Sequence, residues 1–351
     1  MTLPCGIRSY NYSQDTAIVR TKTQWVLLLG FLALFFALPF YLKSNYWLSI
    51  INLIGINLIA ATGLNILTGY CGQLSIGHAG FMAVGAYTSA ILTGTIGLPF
   101  PLALICSGLS AGVIGMFFGI PSLRVKGFYL AISTIAAQMI IIWVIEHWTN
   151  VTGGFNGMSV PYASIGGLVF KSEASQFYLI MVITVIVIFL AKNMARNKIG
   201  RAFVAIRDND LAAQVMGINL FQYKLLAFFI GCFFAGIAGS LYAHWAVSIN
   251  VEAFTFMKSV LFIGMIIIGG LGSTIGPIYG IIFISILDVV VTKLSPALQS
   301  AFPQLPSGFT TGLAPMIFGL VVILFLIFQP RGLAHRWQLF KSAYRLWPFS
   351  Y

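Results

Sequence analysis

The stretch Gly69-Tyr70-Cys71-Gly72-Gln73-Leu74-Ser75-Ile76-Gly77-His78 sets an amide, a hydroxyl and an imidazole among glycines, inside an otherwise apolar region. A second cluster, between Gly264 and Gly280, holds Gly269-Gly270-Leu271-Gly272-Ser273-Thr274 and then Pro277. Such residues suit two ends. Small residues let helices in lipid approach closely. Clustered glycines with a proline also interrupt a helix, and the freed backbone groups then line a polar path. His78 fits either a hydrogen-bonded packing residue or a proton relay. Together the clusters favour a transport pathway over an inert anchor, with Gln73, Ser75, His78, Ser273 and Thr274 along or beside the path.

The remaining chemistry is sparse. Of the seven acidic residues, Asp15, Glu173, Asp208 and Asp210 fall in predicted loops, and Glu146 and Glu252 at the outer edges of apolar runs. Asp288 alone sits within an apolar run, near its outer end, where it is expected to reach the interface or pair with Lys293. No file of carboxylates crosses the chain, which counts against a proton-driven or ion-coupled carrier. The pair Gly-Lys occurs nowhere, so the phosphate-binding loop G-x-x-x-x-G-K-[ST] is absent and nucleotide hydrolysis must come from elsewhere. No HExxH motif occurs, and Cys5, Cys71, Cys106 and Cys232 have no ligand spacing. Neither catalytic residues, metal nor cofactor is expected; an intramembrane enzyme lacks its constellation.

These residues need elements to hold them, and composition says which. The 351 residues are 59% hydrophobic and only 7% charged, against about 25% charged in soluble domains. A soluble enzyme is excluded, and an integral membrane protein is expected. Apolar runs predict ten helices at 25–42, 47–67, 76–94, 99–119, 127–148, 177–191, 225–246, 257–270, 274–292 and 310–328, an all-α polytopic fold. The run after Arg20 and Lys22 is too long for a signal peptide and reads as an uncleaved anchor.

The net charge of +12 is a topology signal, leaving nucleic acid nothing to explain. With a cytoplasmic N-terminus, the inner side holds Arg8, Arg20, Lys22, Arg124, Lys126, Lys192, Arg196, Lys198, Arg201, Arg207, Lys224, Arg331, Arg336, Lys341 and Arg345. The outer side keeps Lys43, Lys171, Lys258 and Lys293. This asymmetry follows the positive-inside rule. It divides the chain into a cytoplasmic segment 1–24, a membrane domain 25–328 and a cytoplasmic tail 329–351.

The charged loop 192–224 is expected to be partly helical. Within it Ala212 and Ala213 offer a small face that could enter a groove on another protein, framed by Arg201, Arg207, Asp208 and Asp210 and ended by Gly217. A solvated cytoplasmic helix fits the same residues. The outer loop 149–176 carries Gly153, Gly154, Asn156 and Gly157, which would shape a docking surface or an outer gate.

At these residues the chain resembles the LivM-type permeases of bacterial branched-chain amino acid ABC importers. The likeness runs from about 47 to 332. It rests on Leu64-Asn65-Ile66-Leu67-Thr68-Gly69-Tyr70 leading into Gly72-Gln73-Leu74-Ser75-Ile76-Gly77-His78, then Thr152-Gly153-Gly154-Phe155-Asn156-Gly157. Gly200-Arg201-Ala202-Phe203-Val204-Ala205-Ile206-Arg207-Asp208 and Gly269-Gly270-Leu271-Gly272-Ser273 complete it. The resemblance implies a permease in the bacterial inner membrane, importing branched-chain or other neutral amino acids by alternating access. It implies a homologous second permease, two cytoplasmic ATP-binding subunits and a periplasmic substrate-binding protein as partners. It makes 196–219 the region coupled to the ATPases: Ala212, Ala213 and Gly217 keep the family spacing, while Leu211 stands where glutamate is usual and leaves the acidic contact to Asp208 or Asp210. Permeases of urea and short-amide importers are closely similar and stand as the alternative substrate class. A stand-alone carrier or channel, or an assembly subunit, is the rival outside the family.

Overall fold

The computed structural model describes residues 22–42, 44–122, 127–301 and 307–346. Cys5, Arg8, Asp15, Arg20, Lys43, Arg124 and Lys126 lie outside the described residues. The fold is all-α. Its helices are α1 Lys22–Phe36, α2 Asn45–Leu64, α3 His78–Gly94, α4 Phe100–Ser122, α5 Phe128–His147, α6 Glu173–Arg196 and α7 Lys198–Asp208. They continue with α8 Asp210–Val215, α9 Leu220–Ala246, α10 Phe256–Gly269, α11 Gly276–Ala301, α12 Ser307–Phe328 and α13 Gly332–Leu346.

Seven helices are long and apolar enough to cross a membrane, or eight if Gly312–Phe328 and Gly332–Ala343, bent by 44°, count as one span. The expected ten is therefore approximate. Two apolar runs are short for a physical reason. Trp25–Tyr41 is broken at Ala37 ahead of Pro39. Helix α3 has 17 residues, about 25 Å at 1.5 Å per residue, against a hydrocarbon core of about 30 Å.

Helix α9 is the centre of the bundle, packed against α2, α3 and α4. It can be central because its glycines remove side chains where backbones cross. A Cβ at Gly239 would fall on the Met82 carbonyl, and one at Gly236 on that of Ser107. Close packing of this kind drives helix association in lipid. The same helix is pinned by a polar chain. His244 Nδ1 donates to the Pro161 carbonyl at 2.8 Å, which leaves Nε2 to accept from the Ser89 hydroxyl at 3.0 Å. Ser240 then donates to Ser89 at 2.7 Å. Every member has a partner, as buried polar groups require.

Between α5 and α6 the chain makes short ribbons rather than a plain loop. Strand β1 (Met158–Ser159) pairs antiparallel with β4 (Ser248–Ile249), and β2 (Ser164–Ile165) with β3 (Leu168–Val169). Glu173, expected in a loop, instead opens α6. Ser172 caps that helix by accepting from Ser175 N–H at 3.2 Å, and a carboxylate in the first turn complements the helix dipole. Its Oε2 accepts from Asn52 Nδ2 at 2.8 Å and Trp245 Nε1 at 3.2 Å, tying α6 to α2 and α9.

Candidate functional site

Helix α2 does not stop at Leu64. It runs on as a π-helical turn, Asn65–Tyr70, a geometry that commonly marks functional sites. The turn presents Asn65 to the second glycine cluster. There Oδ1 accepts from Gly272 N–H at 3.0 Å, and Nδ2 donates to the Ser273 carbonyl at 2.9 Å. The carboxamide thus completes the tight connection between α10 and α11, which turns on Gly270 (φ 115°) and Gly272 (φ 72°). Only glycine adopts the first of these φ values readily. Gly69 is equally constrained, since a Cβ there would collide with Asn65 Oδ1 and Gly272 N. Gly332, at the start of α13, packs on Gly270 as well.

The third party to this junction is α7. Its buried Gly200, Ala202, Phe203 and Ile206 pack it inward. At its end Arg207 extends Nη1 to the Gly69 carbonyl at 3.0 Å. Nε and Nη2 both donate to Asp208 Oδ1 at 2.9 Å, so one planar fork is held by its neighbour while it grips α2. An arginine suits this use because its donors are fixed in a plane. Gly72 (φ 72°) abuts the Arg207 side chain. Asn209 caps α8 by accepting from Ala212 N–H at 3.1 Å, and Lys224 of α9 pairs with Asp210 at 3.8 Å.

The two glycine clusters expected on the path therefore meet, but at one end of the bundle. Ser273 is bonded through its carbonyl to Asn65, and Thr274 faces the Tyr70 hydroxyl. Gln73 lines a cavity of about 340 Å³ together with Gly127, Arg207, Asp210 and Lys224. From there residues 71–77 run unwound into the bundle, and α3 begins inside it. Its first residue, His78, is fully buried. His78 Nε2 carries the proton and donates to the Ala60 carbonyl at 3.0 Å. Ile76 N–H donates to Thr134 Oγ1 at 3.0 Å and Ala79 N–H to Ser259 Oγ at 2.9 Å, while Ser259 donates to Gln138 Oε1 at 2.8 Å. The orphan amides of a helix start buried in apolar surroundings are thereby satisfied. Ser75 Oγ and His78 Nδ1 are buried without a partner among the described residues.

In the segment 192–224 Arg201 and Ala212 are exposed and Ala213 is buried. Gly217 takes φ 84° just past α8, as a C-terminal cap would. Leu211, Val215 and Met216 project into solvent, Val215 at 87% exposure. Around Gly153, Gly154, Asn156 and Gly157 the chain folds back tightly on the segment after α9, so that a Cβ at Gly157 would meet the Ile249 carbonyl. Asn156 and Phe155 stay exposed. Sequence reasoning missed Asn65, Ser259 and Gln138 as site residues; Asn65 and Gln138 are polar residues within apolar runs and Ser259 follows Lys258 at the start of one, which was the available signal.

The expected pairing of Asp288 with Lys293 is not formed. Lys293 Nζ lies 5.3 Å from the centroid of the Trp47 ring instead, and Asp288, facing away from it on α11, lines a cavity with Lys258. Residues five apart on a helix are rotated by about 140° at 3.6 residues per turn. No group of His, Cys, Asp and Glu among the described residues could hold a metal ion.

Residues 46–328 match the family described as "Branched-chain amino acid transport system / permease component". The chain is 32% identical to the high-affinity branched-chain amino acid transport system permease protein LivM of Escherichia coli strain K12, over 89% of this chain and 75% of that protein. It is 27% identical to the probable branched-chain amino acid transport permease protein LivM of Methanocaldococcus jannaschii, over 66% of this chain and 67% of that protein. A more distant similarity, 23% over 73% of this chain and 80% of the relative, is to the ribose import permease protein RbsC of Haemophilus influenzae. No solved structure matches.

Proposed function

The chain belongs to the branched-chain amino acid transport permease family, and on that premise we propose that it forms half of a pore driven by alternating access through the junction at Arg207. It is a membrane-embedded permease subunit of an amino acid importer, not itself an enzyme, and it works with ATPase and substrate-binding partners. Our finer reading adds a homologous second permease, two cytoplasmic ATPases and a periplasmic binding protein, in a bacterial inner membrane. It keeps segment 1–24, loop 192–224 and tail 329–351 on the cytoplasmic side of domain 25–328. Branched-chain and other neutral amino acids are the cargo.

The observation that carries this reading is the bond from Arg207 to the Gly69 carbonyl. Helix α8 and the residue after it present an outward apolar face at Leu211, Val215 and Met216, suited to a groove on an ATPase, with Ala212, Ala213 and Gly217 shaping the short helix and Arg201, Asp208 and Asp210 around it. The leucine in place of the usual acid makes this contact apolar. A push on α8 passes to α7 and through Arg207 to Gly69, where α2 and the α10–α11 connection share Asn65. Those helix ends, carrying Ser273 and Thr274, then move against the rest of the bundle. The unwound segment with Gln73, Ser75 and His78 yields first, because its two unpartnered polar atoms hold it at a cost that another arrangement relieves. Gly153, Gly154, Asn156 and Gly157 shape the surface that meets the binding protein.

The test is reconstitution. Proteoliposomes containing both permeases, the ATPase and a binding protein take up leucine only with ATP inside the reach of the ATPase. Uptake by this chain alone would replace the reading with a stand-alone carrier.

A further inference from the structure

At the far end of α10 from the junction, a cavity of about 500 Å³ opens between α2, α9, α10 and α11. Its size falls within the range of about 300–1,000 Å³ typical of small-molecule sites. Its lining combines one cation, Lys258, one anion, Asp288, the amide of Asn57 and an apolar wall that includes Leu261, Phe262 and Met265. Close approaches of Gly276 to Gly269 and of Gly280 to Met265 set an antiparallel register between α10 and α11. In that register Lys258 and Asp288 fall at the same depth on facing helices.

Among the described residues no ion pair neutralises Lys258, which is half-buried, or Asp288, which is exposed in the single chain. Lys258 Nζ lies over the rings of Tyr242 at 4.3 Å and Phe254 at 5.3 Å. Asn57 Oδ1 is buried with no hydrogen-bond partner. Unpaired charges at a membrane-embedded wall are costly and mark substrate pathways. A ligand that brings an anion, a cation and an apolar branch together would satisfy all of them.

We propose that Lys258, Asp288 and Asn57 form a receiving site for zwitterionic α-amino acids, on the half of the pore that this chain contributes. Lys258 takes the substrate carboxylate, Asp288 and the Asn57 carbonyl oxygen take its ammonium, and the branched side chain lies on Leu261, Phe262 and Met265. The site rests on the reading of this chain as an amino acid importer subunit, and gives that reading a place for charge recognition.

The experiment measures ATP-driven uptake of radiolabelled leucine in proteoliposomes holding the full complex, for the wild type, K258Q, K258R and D288N. Removing either charge forfeits a charge-assisted hydrogen bond, so K258Q and D288N should each lose uptake by about tenfold, while K258R retains most of it. Wild-type rates in both K258Q and D288N overturn the site. No ATP-driven leucine uptake by the wild type itself would instead bring down the functional reading beneath it. Should a variant fail to co-purify with its ATPase, a second measurement decides, with Lys258 and Asp288 intact. Leucine is expected to slow labelling of S285C, a position lining the cavity, by a water-soluble thiol reagent, and unaltered labelling overturns the proposal.

Discussion

Replacing Arg207 by alanine should separate ATP hydrolysis from transport. The side chain is partly exposed, at 37%, and its loss opens no core cavity, so the variant should fold and assemble. What disappears is the bond from α7 to the Gly69 carbonyl. A hydrogen bond from a charged donor contributes about 1.5–3 kcal/mol, enough to change the coupling between two positions of the junction by about tenfold or more. Leucine uptake per ATP hydrolysed, measured in the reconstituted complex, is therefore expected to fall by about tenfold, with hydrolysis continuing. Lysine at this position should fall between, because a point charge cannot hold Asp208 and reach Gly69 with one planar fork. An R207A complex that imports at the wild-type ratio would remove the junction from the mechanism.

Valine at Gly85 should have the largest effect on stability. A Cβ there would land on the Gly236 backbone, where α3 crosses the central α9, and no flexible side chain can move aside. Overpacking by a methylene or two typically costs about 1–3 kcal/mol, and here backbones must separate. Thermal unfolding in detergent, followed by loss of the monodisperse species, should show a clearly lower midpoint for G85V. Alanine at Gly319, inside α12, where nothing lies within 4 Å of an added Cβ, should not lower the midpoint, since alanine favours the helix over glycine. Equal behaviour of the two variants would mean that the α3–α9 crossing is looser than described.

The helical architecture was legible because the runs are almost continuously apolar, and lipid admits such segments as helices. Helix ends were harder. The loop before α6 was drawn too long because Glu173 reads as solvent-facing, whereas Ser172 capping and the dipole hold it in the first turn. The count of spans was blurred by an anchor broken near Pro39 and by α3, which starts inside the bundle rather than at its surface.

For the site, glycine clustering exposed both segments but not their meeting. Asn65 and Gly272 are 207 positions apart, and no local pattern reports a contact of that separation. Arg207 stood out as a flanking charge, yet its grip on Gly69 depends on the π-turn that brings that carbonyl to it. Asp288 was expected to reach the interface or to pair with nearby Lys293. The antiparallel register of α10 and α11, set by glycine contacts, instead places it at the depth of Lys258, along one cavity. Which side chains of different helices line one cavity is decided by packing, which a single sequence does not display.

The central claim is that α7, α8 and the connection between α10 and α11 move as one body when the ATPase closes, because Arg207 joins them. Pulsed electron resonance distances between spin labels test it directly, using cysteines at the exposed positions Lys198, Leu271 and Tyr129 in the reconstituted complex. ATP binding is predicted to change the separation of Lys198, on α7, from Tyr129, on α5, while that of Lys198 from Leu271 stays constant. A Lys198–Leu271 separation that changes on ATP binding, in protein that still imports leucine, would contradict the account.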